Sequence, residues 1–264
     1  MATYFTSDQH MTLRYPDRGE RFARFIGLLN PGEDHLVIAG DLVDFWYAAR
    51  EAGGLQCVLE PGLKALKEFV GKNGRVTLIA GNHDQHLGWY YEREFGLKFD
   101  PEPFERELDG CRIRVVHGHL LGGRSRWKGW MESRFFLRMF QQVPDFIANK
   151  LADQLKTYNS RNRKGDNLRH YMVFEQYVKS LGDSDADFAI LGHVHQTIFT
   201  EVEMESIPKF ENQAAARKSM VVLGHWFYQS SWLKIENGKA GFYIWEDQAE
   251  RPEQVMDQRT WKPV

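Results

Sequence analysis

Short apolar, β-branched runs recur along this chain, and five of them end in a polar cluster. Residues 3–6 lead into Ser7-Asp8-Gln9-His10, residues 35–39 into Gly40-Asp41-Leu42-Val43-Asp44, and residues 75–80 into Gly81-Asn82-His83-Asp84. Residues 112–116 then meet His117-Gly118-His119, and residues 188–191 meet Gly192-His193-Val194-His195. Between the first and second runs Phe22, Phe25, Ile26 and Leu29 fall at helical spacing, as do Leu59, Leu63, Leu66 and Val70 between the second and third. Strands alternating with helices predict an α/β fold with largely parallel strands, whose carboxyl ends open on one side. The five clusters are then expected to converge on one crevice. Residues 220–223, 232–235 and 241–245 predict further strands, the last two joined as a hairpin by Asn237-Gly238.

Charge is unevenly spread. Over the whole chain 34 Lys+Arg stand against 36 Asp+Glu, yet residues 119–170 hold eleven Lys+Arg and four Asp+Glu. That local balance of +7 leaves -9 for the remainder, so one segment is built to meet a different partner. No linker or repeat sets it apart, which predicts an insertion of about 120–182 within a single domain of residues 1–264. Inside it Phe135, Phe136, Met139, Phe140, Val143, Phe146, Ile147 and Leu151 mark apolar helical faces interspersed with Arg134, Arg138, Lys150 and Lys156. With Trp127 and Trp130 nearby, this composition suits an amphiphile with an anionic head, or peripheral contact with anionic lipid, with Phe140 expected on an acyl chain. Two plain amphipathic helices packed on the core are the simpler alternative. Net negative charge outside the segment argues against a nucleic-acid partner. No stretch approaches the roughly 18 to 20 apolar residues of a membrane span, and Cys57 and Cys111 are too few for a disulfide or zinc framework. A cytoplasmic protein, peripheral at the cytoplasmic membrane face, is expected.

The clusters carry the chemistry of a metal site. Asp8, His10, Asp41, Asn82, His117, His193 and His195 offer carboxylate, amide and imidazole donors without thiolate. Such a set suits two divalent ions, Mn first, with Fe or Zn as alternatives. Two ions about 3.5 to 4 Å apart clamp a phosphoryl group and activate water, so hydrolysis of a phosphate ester or anhydride is the expected reaction. His83 is placed to stabilise developing charge or donate a proton, with Asp84 holding its ring, and both are read as catalytic. His119 is expected to orient a ligand; His35 and His170 are expected to be structural or solvated.

In order, Asp8-x-His10, Gly40-Asp41, Gly81-Asn82-His83-Asp84, His117-Gly118-His119 and Gly192-His193-Val194-His195 resemble the motifs of the calcineurin-like metallophosphoesterase superfamily over residues 1 to about 200. The resemblance implies a four-layer α/β/β/α sandwich with an inserted helical lid, strands in 219–245 completing the second sheet. It also implies one metal held by Asp8, His10, Asp41 and His195 and a second by Asp41, Asn82, His117 and His193. The stretch 134–164 and Val222-Leu223-Gly224-His225-Trp226 are similar to the lid and C-terminal end of the UDP-2,3-diacylglucosamine hydrolases of lipid A synthesis. Those enzymes cleave the pyrophosphate of an acylated UDP-sugar, releasing UMP and the acylated sugar 1-phosphate. The likeness implies substrate contacts at Asn82, His83, Ser125, Thr157, Arg161, Lys164 and His193. This chain departs from that family where His83 replaces an Arg, His119 an Asp, and Ser125 stands near an acidic position. Another phosphodiester or nucleotide substrate, or a non-catalytic scaffold on the same fold, are the competing readings.

Overall fold

The computed structural model describes residues 1–44, 61–100, 103–108, 110–123, 129–130, 133–144, 147, 150, 169–181, 186–203, 217–247 and 249–260. Strands β1 (Thr3–Thr6), β2 (His35–Ile38), β3 (Arg75–Ile79) and β4 (Lys98–Asp100) lie side by side and parallel. All of β1 and β2 is buried, as expected for strands covered on both faces. A second sheet has the order β5 (Phe104–Leu108), β6 (Cys111–Val116), β7 (Phe188–Leu191), β9 (Arg217–Leu223), β8 (Thr197–Glu203), with β6, β7 and β9 parallel. The first sheet continues beyond β1 through β10 (Gln229–Glu236), β11 (Lys239–Glu246) and β12 (Glu253–Thr260), all antiparallel. The β10–β11 hairpin closes at Glu236↔Lys239 through Asn237 (φ 51°) and Gly238 (φ 69°), the two positive-φ residues that a tight hairpin turn requires.

Alternation along each strand feeds two cores at once. Tyr4, Leu36 and Ile38 point to the outer face of the first sheet, where helices α1 (Pro16–Ile26), α2 (Pro61–Gly71) and α3 (Gly88–Phe95) bring Phe22, Phe25, Leu63, Leu66 and Tyr91. Phe5 and Val37 point inward, against Val115, Ile190 and Val221 of the second sheet. On that sheet's outer face, α5 (residues 169–180) packs Phe174 and Val178 over Leu191 and Val222. The layers are therefore α/β/β/α.

One expectation is corrected. Of the late strands only β9 joins the second sheet; β10 and β11 extend the first. Trp226 explains the crossing, since it is fully buried between Phe22 and Phe25 and pulls the chain after β9 to the first sheet, where Trp232 then meets Phe25. In the inserted segment α4 (Arg134–Gln141) is capped by Ser133, whose Oγ accepts the Phe136 N–H at 3.2 Å. Phe135 and Met139 are 66% and 52% exposed, whereas Phe140 is buried with its ring stacked on Phe136. Among the described residues no helix is long and apolar enough to cross a membrane.

His35 ties the sheets together away from the polar clusters. Arg106 of β5 donates to its Nδ1 at 2.9 Å, which leaves the Nε2–H for Thr77 Oγ1 at 2.9 Å. Burial, then Arg106, Arg75 and Lys98, push the imidazole down to about 4. Above the unfolded value of 6.5 neither state holds the proton and stability is complete. As pH falls from 6.5 to about 4 the unfolded chain takes up a proton that the folded chain refuses, so up to about 3 kcal/mol is lost. Urea unfolding across that window should show the loss, and His35→Gln should flatten the slope; an equal slope in the variant would assign the acid sensitivity elsewhere.

Candidate metal centre

The five strand ends deliver their clusters to one place, as the sequence predicts. Asp8 and His10 follow β1, Asp41 follows β2, Asn82 and His83 follow β3, His117 follows β6, and His193 and His195 follow β7. Ligand atoms of Asp8, His10 and His195, of His10, Asp41 and His83, and of Asp41, His117 and His193 form three groups, each spanning no more than 4.8 Å. Asp41 belongs to two of them. Its Oδ2 lies 3.7 Å from His10 Nε2, 3.4 Å from His117 Nε2 and 3.9 Å from His83 Nε2, while Oδ1 accepts the His83 backbone N–H at 2.9 Å.

Glycine makes this crowding possible. A Cβ at Gly81 would collide with the backbone nitrogen and carboxylate of Asp41, and one at Gly40 (φ 82°) would stand 2.6 Å from His117 Nδ1. The ligands themselves bend the chain. Asp8, His10, Asp41, His193 and His195 all have φ between 48° and 70°. Left-handed backbone costs a non-glycine residue on the order of 1 kcal/mol, and it persists where neighbouring structure over-determines it. Here hydrogen bonds do so: Asp8 N–H donates to Gly40 O at 3.1 Å, His10 N–H to Asp41 O at 3.0 Å, and His193 N–H to Asp8 Oδ2 at 2.9 Å.

The donor set fits divalent cations. Asp8 Oδ1 is buried without a hydrogen-bond partner, with His195 Nε2 and His10 Nε2 facing it at 3.3 and 3.7 Å and 3.0 Å from each other. Ala39 O takes the Nδ1–H of His117 at 2.7 Å, which leaves Nε2 as the lone-pair nitrogen facing Asp41 and, at 3.2 Å, Asn82 Oδ1. Burial works to raise both carboxyls, yet the surrounding imidazoles outweigh it and hold Asp8 and Asp41 well below the usual range. Burial likewise pushes His10 and His193 down, keeping them neutral and able to ligate.

Asp84 has a different task from the one expected. Its Oδ1 accepts the Gly81 N–H at 3.0 Å; its Oδ2 accepts the Leu42 N–H at 2.9 Å and the Tyr91 hydroxyl at 3.4 Å. It thus pins the Asp41 and Asn82 loops to each other instead of holding the His83 ring, which stands edge-on to His10 with centroids 4.7 Å apart. Burial and the charge of Asp41 raise the Asp84 carboxyl to about 6. Asp84→Ala strands two buried N–H groups, each worth about 1–3 kcal/mol. A clear fall in Tm is therefore expected, together with roughly 10- to 100-fold weaker metal binding in a calorimetric titration. An unchanged Tm would contradict the assignment.

His170 of α5, expected to be structural or solvated, lies edge-on to His193 with ring centroids 5.7 Å apart. His119 lies beside two ligands, with its ring centroid 5.3 Å from that of His117 and 6.4 Å from that of His193. Arg18 donates to His10 O at 2.9 Å and reaches Asp44 at 3.5 Å. Ser125, Thr157, Arg161 and Lys164 lie outside the described residues.

A two-sheet α/β/β/α sandwich with carboxylate, amide and imidazole donors converging at its strand ends is the architecture of a metal-dependent phosphoesterase. The family model for calcineurin-like phosphoesterases matches residues 1–197. The chain belongs to that family. It is 26% identical over 241 residues to "UDP-2,3-diacylglucosamine hydrolase" of Shigella sonnei, covering 89% of this chain and 95% of the relative. Identity to the protein of that name from Photorhabdus laumondii is also 26%, with the same coverage. Among solved structures, Vacuolar Protein Sorting 29 from Cryptosporidium parvum aligns over 98% of both chains with a TM-score of 0.44 and 11% identity. The family is metal-dependent, and the chain presents groups that could hold such ions.

Proposed function

We propose that this chain, one domain of residues 1–264 with a helical insertion at about 120–182, cleaves the pyrophosphate of UDP-2,3-diacylglucosamine, releasing UMP and acylated glucosamine 1-phosphate. The observation that carries the reaction class is the buried convergence of two ligand groups on Asp41. Asp8, His10, Asp41 and His195 would hold one ion, and Asp41, Asn82, His117 and His193 the other, and this set of oxygen and imidazole donors suits Mn, Fe or Zn. When bound, the ions supply Lewis-acid polarisation of phosphoryl oxygens and a water acidified for attack. His83, a quarter exposed beside Asp41 and His10, is placed to donate a hydrogen bond to a phosphoryl oxygen. Asp84 positions two of the loops that carry the ligands.

The substrate reading has two supports. The curated relatives match most of the chain and bear that activity in their name, and α4 offers exposed Phe135 and Met139 beside Arg138 to an acylated, anionic molecule or to the cytoplasmic membrane face. Ser125, Thr157, Arg161 and Lys164 would meet the head group. UMP release should be measured from acylated and unacylated UDP-sugars with Mn present. The acylated substrate is expected to be strongly preferred, and Phe135→Ser to raise KM for it more than for the unacylated sugar. Equal turnover of both, or faster turnover of an unrelated phosphodiester, would favour a phosphoesterase of other specificity.

A further inference from the structure

The loop between β9 and β10 builds an aromatic surface against the metal centre. Trp226 turns its ring into the core, while its backbone N–H donates to Asp8 O at 3.3 Å and its backbone carbonyl accepts from Arg21 Nη1 at 3.2 Å. That anchor leaves its neighbours His225 and Phe227 near the metal ligands. Their rings stack, 4.8 Å apart and 26° from parallel, and Phe227 lies 5.1 Å from His195 and 5.4 Å from His10. The Arg18 guanidinium covers Phe227 at 4.5 Å and Tyr15 at 4.5 Å, so the surface is backed by a cation held to the His10 carbonyl. Tyr228 ends the array. It is 77% exposed, the most exposed large hydrophobic side chain among the described residues, with its ring 6.2 Å from His225 and 6.5 Å from Phe227.

We infer that this shelf, a His225–Phe227 stack with Tyr228 standing edge-on at its exposed end, is the subsite for the nucleobase of the substrate, and that Tyr228 is the ring on which the base stacks. The inference rests on the reading of the centre as a nucleotide pyrophosphatase. A pyrophosphate joins two arms, and the reacting phosphorus sits between them over the metal ligands. The inserted segment, which ends in α5 with His170 beside His193, flanks one side. The shelf flanks the other, against His10 and His195. A base one ribose away from its phosphate meets the exposed Tyr228 ring there, and stacking on an aromatic side chain is the interaction every base can make whatever its edge groups. An acyl chain would be served instead by α4, where the exposed Phe135 and Met139 lie beside Arg138.

Calorimetric binding of UMP, AMP and ribose 5-phosphate to the Mn-supplemented full chain tests the inference. Both nucleotides should bind about 10- to 100-fold more tightly than ribose 5-phosphate. Tyr228→Ala should collapse that ratio, and Tyr228→Phe, which keeps the ring, should restore it. Equal affinities in the wild-type protein, or a ratio that survives Tyr228→Ala, would overturn the inference. If the ratio depends on Tyr228 while UDP-2,3-diacylglucosamine is not cleaved, the shelf stands and the substrate reading falls. If the lipid is cleaved and the ratio is one, the shelf alone falls.

Discussion

Asp41→Ala is expected to abolish metal-dependent hydrolysis. The carboxylate sits where both ligand groups meet, with Oδ2 facing His10 and His117 at 3.7 and 3.4 Å. Its loss also removes the acceptor for the His83 N–H. Partners that only orient a metal ligand are worth about 10- to 100-fold in affinity or activity, so loss of a shared ligand should exceed that range. Asp44→Ala serves as the comparison, because Asp44 pairs with Arg18 and belongs to none of the three ligand groups, and it should cost far less. Metal content after dialysis should fall in the Asp41 variant together with its rate. Full activity in that variant would exclude a shared-ligand mechanism.

His83→Ala should act differently, lowering kcat while leaving the metals bound. His83 Nε2 stands 3.9 Å from Asp41, and the ring is partly open to the crevice where the Asp41 and His117 side chains are closed off. Removing one donor aimed at developing phosphoryl charge costs about 10²- to 10³-fold. His83→Arg, which restores a donor at this position, should recover part of the rate. Steady-state rates beside metal analysis separate the cases, since loss of metal in step with loss of rate would make His83 a ligand.

Much of this was legible in the chain because β-branched runs and the turns that end them are local signals. The strands over residues 3–6 and 188–191 were read with the bounds that the structure gives, and each ligand cluster follows its strand. The four strands that were not anticipated have edge positions or short, charged sequences. Phe104–Leu108 reads FEREL, where the exposed Glu105 and Glu107 hide the apolar period, and Glu253–Thr260 reads EQVMDQRT, a sequence without a clear apolar alternation. The sheet joined by β10 was misassigned since nothing in Gln229–Glu236 records which of two apolar faces it will meet; burial of Trp226 decides that. In the site, the identities of the ligands could be read, but their left-handed backbone could not, because it is imposed by contacts between strand ends distant in sequence. The task of Asp84 likewise depends on Leu42, a residue 42 positions away.

The central claim is a pair of divalent ions sharing Asp41. Its most direct test is titration of chelator-stripped protein with Mn, followed by electron paramagnetic resonance. Two Mn per chain are expected, with the exchange-coupled spectrum of ions about 3.5 to 4 Å apart, and Asp41→Ala should lose that coupling. A single bound Mn, or two that remain magnetically independent in the wild-type protein, would contradict the account.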